Sequence, residues 1–196
     1  MQNSNDAMAN DLARDDMLIL VDGMDRQIGT ASKWQTHSEG LLHRAFSVVL
    51  VRDGQEGPEL MLAKRALCKY HSGGLWANSC CSHPREGEST VQAAYRRVRE
   101  ELGCDAADLR ELTAFAYRAV FANGLCEYEY DHVLVGRCEG EASPDPGEVS
   151  EVRWVGFDSL ASELANAPDA FAAWAPMVLT MVMASIASGK QREEER

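Results

Sequence analysis

The stretch ESTVQAAYRRVREELGC, residues 88–104, carries the clearest helical pattern in the chain. Ser89 or Thr90 is a typical N-cap residue, and Gly103 is a typical C-terminal stop. Between them, apolar residues recur at helical spacing: Val91, Ala94, Tyr95, Val98 and Leu102. The other face carries the charged residues Arg97, Glu100 and Glu101. We therefore predict an amphipathic helix that buries one face and presents charged groups on the other.

Runs rich in β-branched and aromatic residues lie on both sides of this helix. They predict strands at Met17–Val21, His43–Arg52, Glu59–Lys64, Leu75–Cys81, Leu112–Val120, Glu127–Arg137 and Val149–Phe157. A second, largely apolar helix is predicted from Asp169 to Ala187, with Pro176 near its first turns. Strands outnumber helices, so the predicted class is α/β, or α+β, with a mixed β-sheet core flanked by helices.

Length and composition restrict the class of protein further. The 196 residues fit one domain, which we place at 17–188, between a polar segment 1–16 and a charged tail 189–196 that we expect to be disordered. The net charge of −12 argues against a nucleic-acid surface. The chain has no apolar run long enough for a membrane span and no signal-peptide pattern, and its six cysteines show no disulfide spacing. We expect a cytoplasmic protein with reduced thiols, either monomeric or homodimeric.

The segment Asn78-Ser79-Cys80-Cys81-Ser82-His83-Pro84 lies just before the predicted helix. In an extended backbone, residues two apart point to the same face. Cys81 and His83 are therefore expected to share a face, while Cys80 points away as a small buried thiol.

Two carboxylates and two further histidines also have suggestive spacing. Glu127 and Glu129 lie two apart at the head of a predicted strand, and two buried carboxylates on one face repel each other unless a cation lies between them. His37 and His43 lead into the strand His43–Arg52. Imidazole and carboxylate ligands together suit Mn²⁺, Zn²⁺ or Mg²⁺.

Residues 88–104 resemble the Nudix box, a loop–helix–loop that holds a metal against a diphosphate. Two positions differ from the Nudix hydrolases: Ser82 stands where they open with glycine, and Arg97 stands where they place a metal-binding glutamate. Arginine at that position removes a metal ligand and adds a phosphate donor. Together with the Cys-x-His and Glu-x-Glu elements, the chain resembles the type I isopentenyl-diphosphate isomerase family. This resemblance implies a Nudix-type fold.

The resemblance also implies an activity, the interconversion of isopentenyl and dimethylallyl diphosphate for isoprenoid biosynthesis. By the same resemblance, Glu129 is the catalytic acid with help from Tyr117, and Cys81 is the base. Trp174, predicted to lie on the late helix, covers the carbocation-like state.

The remaining site residues follow from the same resemblance. One tightly held divalent metal, Mn²⁺, Zn²⁺ or Mg²⁺, is assigned to His37, His43, His83, Glu127 and Glu129. The diphosphate of the small homoallylic or allylic substrate is assigned to Lys33, Arg65, Lys69 and Arg97. A second ion, Mg²⁺, is expected to arrive with the substrate at Glu101.

Two alternatives stay open at this point. One is a Nudix hydrolase that cleaves a nucleoside diphosphate derivative, against which Arg97 counts. The other is a non-catalytic domain whose cysteines and histidines bind a structural zinc, or whose pocket only binds a diphosphate. Turnover of isopentenyl diphosphate distinguishes the three.

Overall fold

A computed structural model of the chain describes residues 17–194, with side chains through residue 189. Its strands are β1 (Met17–Val21), β2 (Gln27–Ser32), β3 (His43–Gly54), β4 (Gly57–Arg65), β5 (Trp76–Ala77), β6 (Cys80–Ser82), β7 (Asp105–Val120), β8 (Cys126–Glu139) and β9 (Val149–Gly156). The helices are α1 (Lys33–Glu39), α2 (Thr90–Leu102), α3 (Phe157–Asn166) and α4 (Ala175–Glu194), and a 3-10 turn spans Pro168–Ala170. None of the described helices is long and apolar enough to cross a membrane.

Strand β3 organises a mixed sheet. It runs parallel to β8, from the pair His43 and Glu129 to the pair Val51 and Arg137, and antiparallel to β1, β4 and β6. Strand β8 also pairs with β7, and β4 also pairs with β5 and β9. The mixed sheet flanked by helices confirms the predicted fold class.

Both faces of this sheet are covered, which explains the long apolar run in β3. Val48 and Leu50 point into a core shared with α2, which we call the α2 side. Val49, between them, points into a second core shared with α3 and α4, which we call the α4 side. The two-residue period of a strand thus sends alternate residues to two different cores.

Helix α2 begins and ends where the sequence predicts. The Ser89 hydroxyl accepts a hydrogen bond from the backbone N–H of Gln92, and the Gln92 side chain accepts one from the backbone N–H of Ser89. Gly103 ends the helix at φ +62°, where a Cβ would lie 2.2 Å from the Ser143 carbonyl oxygen. Tyr95 differs from expectation, since it lies at the edge of the apolar face and is 40% exposed.

The late helix begins later than predicted. Asp169 lies in the 3-10 turn, and α4 starts only at Ala175, so Trp174 precedes the helix instead of lying on it. The Trp174 carbonyl accepts hydrogen bonds from the N–H groups of Met177 and Val178. Proline has no N–H and fits only the first turn of a helix, so Pro176 fixes the start here.

Other boundaries also differ from the predictions. The predicted strand Leu75–Cys81 is two short strands, and β2, α1 and α3 were not predicted. Helix α4 continues to Glu194, so residues 189–194 of the predicted disordered tail are helical, because Lys, Gln, Arg and Glu all favour helix. The predicted disordered segment 1–16 and the last two residues lie outside the described residues.

Candidate active site and metal centre

One cavity of about 730 Å³ is lined by residues of α2, such as Arg97, and by Trp174 just before α4. It is lined by every site residue predicted from the sequence except His37 and His43. Those two histidines are fully buried behind its inner end, in contact with Glu127. We call the end beside Glu127 and Glu129 the inner end, and the end beside Lys69 and Arg97 the mouth.

The inner end gathers a potential metal centre from four parts of the chain. Ligand atoms of His37, His43, His83 and Glu127 all lie within 4.8 Å of one another. Glu129 adjoins them, with Oε1 3.1 Å from His83 Nε2 and 3.6 Å from His43 Nε2. The register explains this convergence, because His43 begins β3 directly opposite Glu129 on β8.

The hydrogen bonds of two histidines fix Nδ1 of each ring as the donor. Nδ1 of His37 donates to the Lys33 carbonyl at 2.6 Å, and Nδ1 of His43 donates to the Leu41 carbonyl at 2.9 Å. In neutral rings, both Nε2 atoms then carry lone pairs aimed at the cluster. Such second contacts commonly fix metal-binding histidines.

A buried oxygen in this cluster fits the same interpretation. Oε2 of Glu127 lies 3.2 Å from His37 Nε2, yet it has no hydrogen-bond partner among the described residues. Nε2 of His43 lies 3.2 Å from Nε2 of His83. An octahedron with metal–ligand bonds of about 2.1 Å has edges of about 3 Å, so a divalent cation fits between these lone pairs.

Burial and neighbouring charges set the protonation of the cluster. Burial is the main reason that the pKa of His83 falls to about 4, which keeps the ring in its neutral, ligating form. Burial alone would raise the pKa of Glu127, but His71 and His37 outweigh it and hold that pKa well below its usual range. Glu127 is therefore ionised.

Cys81 lies beside this cluster on the inner wall. Its thiol donates to Asn78 Oδ1 at 3.0 Å and accepts a hydrogen bond from the indole N–H of Trp174 at 3.0 Å. Burial, followed by the charge of Asp131, raises the pKa of Cys81 to about 12, so the resting group is a thiol. Cys80 points instead into the α2-side core, as the two-residue period predicts.

Glu129 faces Tyr117 across the β7–β8 ladder. The Tyr117 hydroxyl donates to Glu129 Oε2 at 2.5 Å, and the two residues are register partners. The rings of Tyr117 and Trp174 are 6.4 Å apart between centroids. Trp174 thus contacts Cys81 through its indole N–H and lies near Tyr117 through its ring.

The four predicted basic residues all line the cavity. Arg65 lies over the Trp174 ring at 5.3 Å, and its buried Nε has no hydrogen-bond partner among the described residues. Lys33 lies over the Tyr70 ring at 4.9 Å. Lys69 and Arg97 both contact Glu148, at 2.7 and 3.4 Å.

Glu101 also lies at the mouth, one helical turn from Arg97. The guanidinium of Arg97 donates to Glu101 Oε1 at 2.5 Å. Burial raises the pKa of Glu101, and Arg97 partly opposes that shift. A basic group and a carboxylate are therefore presented together at the mouth.

Comparisons with known proteins agree with this architecture. The NUDIX domain model matches residues 41–175. The chain is 48% identical over 160 residues to "Isopentenyl-diphosphate Delta-isomerase 2" of Photorhabdus laumondii, covering 82% of this chain and 88% of that protein. It is 44% identical over 176 residues to "Isopentenyl-diphosphate Delta-isomerase" of Photobacterium profundum, covering 89% and 98%. The chain belongs to the isopentenyl-diphosphate Delta-isomerase family.

Solved structures share the fold of this isomerase-family chain. The protein DR0079 from Deinococcus radiodurans superposes with a TM-score of 0.64 and 20% identity, over 85% of this chain and 99% of that one. A MutT NUDIX hydrolase from Burkholderia pseudomallei gives 0.57 and 22%, over 72% and 98%. At these identities the likeness shows the fold alone, and it confirms the predicted Nudix-type fold.

The isomerase-family site also contains residues that the sequence analysis missed. Tyr70 donates its hydroxyl to Glu127 Oε1 at 3.2 Å, and His71 makes a short hydrogen bond to the same oxygen through Nε2. The His71 ring stacks on Phe121 with centroids 4.3 Å apart. A second histidine–carboxylate contact of this kind depends on tertiary packing, and no local spacing indicates it.

The sequence analysis also missed one residue near the Cys81 thiol and one at the mouth. Asp131 is buried and accepts a hydrogen bond from the Ser47 hydroxyl at 2.8 Å, and that hydroxyl lies 3.6 Å from Cys81 Sγ. The position of Asp131, two residues after Glu129, was the signal available in the sequence. Glu148, just before β9, gave no motif signal.

Proposed function

We propose that the chain interconverts isopentenyl diphosphate and dimethylallyl diphosphate in this cavity. The observation that carries the proposal is that Cys81, Trp174 and the Glu129–Tyr117 pair all line one cavity, with Trp174 in contact with Cys81 and close to Tyr117. The names of the two curated relatives support the same reaction.

The reaction requires two proton transfers on a hydrocarbon. A proton is added to the terminal alkene carbon, and another is removed from the neighbouring methylene, through a tertiary carbocation-like state. Water would quench that state, so the reacting carbons need a dry pocket and an electron-rich face. Trp174, which is only 3% exposed, and Tyr117, which is 8% exposed, supply such walls.

The proposed roles follow from the proton that each group can donate or accept. Glu129, hydrogen-bonded by Tyr117, delivers the proton to the alkene. Cys81 reacts as the thiolate, after its proton has moved to Glu129, and takes the proton from the methylene, with the Trp174 N–H directed at its sulfur to stabilise negative charge. In the reverse direction the two groups exchange roles, because the same transition state is crossed.

The mouth binds the diphosphate in this proposal. Lys33, Arg65, Lys69 and Arg97 give the otherwise acidic protein a local basic surface. The unpartnered Nε of Arg65 is a buried donor that an anionic oxygen would satisfy. Glu101 is proposed to hold a Mg²⁺ ion that arrives with the substrate.

The inner cluster is proposed to hold a second divalent ion, Mn²⁺, Zn²⁺ or Mg²⁺. Its ligands would be His37, His43, His83, Glu127 and Glu129. The donor set of imidazoles and carboxylates suits these ions. When bound, the ion supplies a fixed positive charge that sets the acidity of Glu129.

Proton exchange with solvent tests the function directly. The protein is incubated with isopentenyl diphosphate in D₂O and followed by NMR, with free phosphate measured in parallel. We expect dimethylallyl diphosphate to form with deuterium in the hydrocarbon and no phosphate release. Glu129→Gln serves as the matched control, because it keeps the side-chain shape and removes the acid. Steady phosphate release without an alkene shift would establish hydrolysis instead.

A further inference from the structure

Two cysteine sulfurs lie in contact outside the lining of the cavity. Cys104, between α2 and β7, and Cys138, near the end of β8, have their Sγ atoms 3.1 Å apart. That is about 1 Å longer than a disulfide bond. The β7–β8 register brings them together, because Cys138 pairs with Ala106, two residues after Cys104.

No other cysteine pair is in comparable contact within residues 17–194. Cys80 and Cys81 are adjacent but point to opposite sides of the sheet. The sulfurs of Cys68 and Cys126 contact backbone carbonyls, of Gly147 and Glu127 respectively. All six cysteines are free thiols in the structure.

The two thiols differ in accessibility. Cys104 is 5% exposed, whereas Cys138 is partly exposed and can be reached by a small oxidant. Burial and the adjacent Cys138 raise the pKa of Cys104 to about 12, which favours its protonated form. The difference in exposure matches a pair in which the surface sulfur is oxidised first and the buried thiol then resolves it.

We propose that Cys104 and Cys138 form a reversible disulfide site that responds to hydrogen peroxide. The Cys138 sulfur attacks one peroxide oxygen, the O–O bond breaks, and a sulfenic acid and water result. The Cys104 sulfur then attacks the sulfenyl sulfur, the S–S bond forms, the S–O bond breaks, and a second water leaves. Two thiols thus lose two electrons and two protons, and the peroxide is reduced to two waters.

The site is separate from the chemistry of the cavity. Cys138 and Glu129 lie nine residues apart on β8, a distance of about 30 Å along an extended strand. The bond would link the segment just after α2 to the carboxyl-terminal end of β8. Closing a loop between residues 34 apart restricts the unfolded chain, so the oxidised protein should melt at a higher temperature.

Mass spectrometry of the full-length protein tests the proposal. After brief peroxide treatment and alkylation of free thiols, trypsin should release a peptide pair in which residues 100–110 are joined to residues 138–153. Dithiothreitol should separate the pair and lower Tm to that of the untreated protein.

Matched variants sharpen the test. Cys104→Ala and Cys138→Ala should each abolish the cross-link and the Tm increase, while Cys126→Ala, another cysteine of β8, should keep both. The proposal is overturned if peroxide oxidises other thiols of the wild-type protein while Cys104 and Cys138 both remain free to be alkylated. This measurement uses the wild-type protein alone, so it does not depend on the folding of any variant.

Discussion

The two ends of the cavity are built differently. At the inner end, the Nε2 atoms of His37 and His43 and a buried Glu127 oxygen face one another, and that oxygen has no hydrogen-bond partner among the described residues. At the mouth, the charged groups already contact one another, since Lys69 and Arg97 both contact Glu148. The inner end is therefore suited to a cation, whereas in the proposed function the ion pairs of the mouth are exchanged for contacts with the diphosphate.

This difference separates two kinds of kinetic effect. In the proposed function, groups at the inner end act on the reacting carbons or on the metal, so their loss should reduce kcat. Groups at the mouth are proposed to hold the diphosphate equally in the substrate and in the transition state, so their loss should mainly raise KM. The predictions below test that separation, from the largest expected effect to the smallest.

Cys81→Ala should produce the largest effect. Loss of a group that transfers a proton lowers kcat by about 10²–10⁴-fold, and we expect KM and metal content to be unchanged. Steady-state kinetics and elemental analysis measure both. A variant that keeps wild-type kcat would remove Cys81 from the chemistry.

Metal removal should have the next largest effect, and His71 should control how tightly the metal is held. Chelation should lower turnover, and a divalent ion should restore it. His71→Gln should weaken metal affinity by about 10–100-fold, because the hydrogen bond from His71 holds the Glu127 carboxylate in position.

The matched control for His71 is His132→Gln. His132 contacts Asp25 and Glu111, away from the cavity, so its loss should leave metal affinity unchanged. Metal titration of both apo-proteins measures the difference. Equal affinity in the two variants would show that His71 does not support the centre.

Lys69→Met should act at the mouth. A charge-assisted hydrogen bond contributes about 1.5–3 kcal/mol, so KM should rise by about 10-fold or more while kcat stays near the wild-type value. Lys64→Met is the control, because Lys64 lies on β4 outside the cavity lining, where its amine is 3.9 Å from Glu151 and 5.5 Å from the centre of the Trp76 ring. A fall in kcat at constant KM for Lys69→Met would contradict the separation of the two ends.

Cys80→Ala should have the smallest effect. Its thiol is buried in the α2-side core, so the change should lower the free energy of unfolding by about 1 kcal/mol and leave kcat unchanged. Denaturant unfolding measures the first quantity and an isomerase assay the second. If Cys80 were essential and Cys81 dispensable, the assignment of the two thiols would be reversed.

The parts of the fold that could be predicted have strong local patterns. The caps and apolar spacing of α2 specify both of its ends, and the β-branched runs of β3 and β8 locate the central strands. Strand β2 and α1 are short and carry no clear apolar period, which is why both were missed. Trp174 was misplaced because an apolar segment of mixed residues does not show where a helix begins.

For the site, the sequence could supply residues that belong to short motifs. Cys81 with His83, and Glu127 with Glu129, are pairs whose common face follows from the strand period alone. His71 and Glu148 could not be found in this way, because they reach the site through packing and ion pairs between distant segments. Their positions required the three-dimensional structure.

The parallel pairing of β3 with β8 has a consequence for how the protein is made. His43 and Glu129, register partners in that pairing, are separated by more than eighty residues of chain. During synthesis, the amino-terminal half therefore emerges with the three histidines of the cluster, but with neither of its two carboxylates. Such non-local contacts form slowly, because a long loop must close first. A nascent chain would acquire its full set of metal ligands only after β8 has left the ribosome.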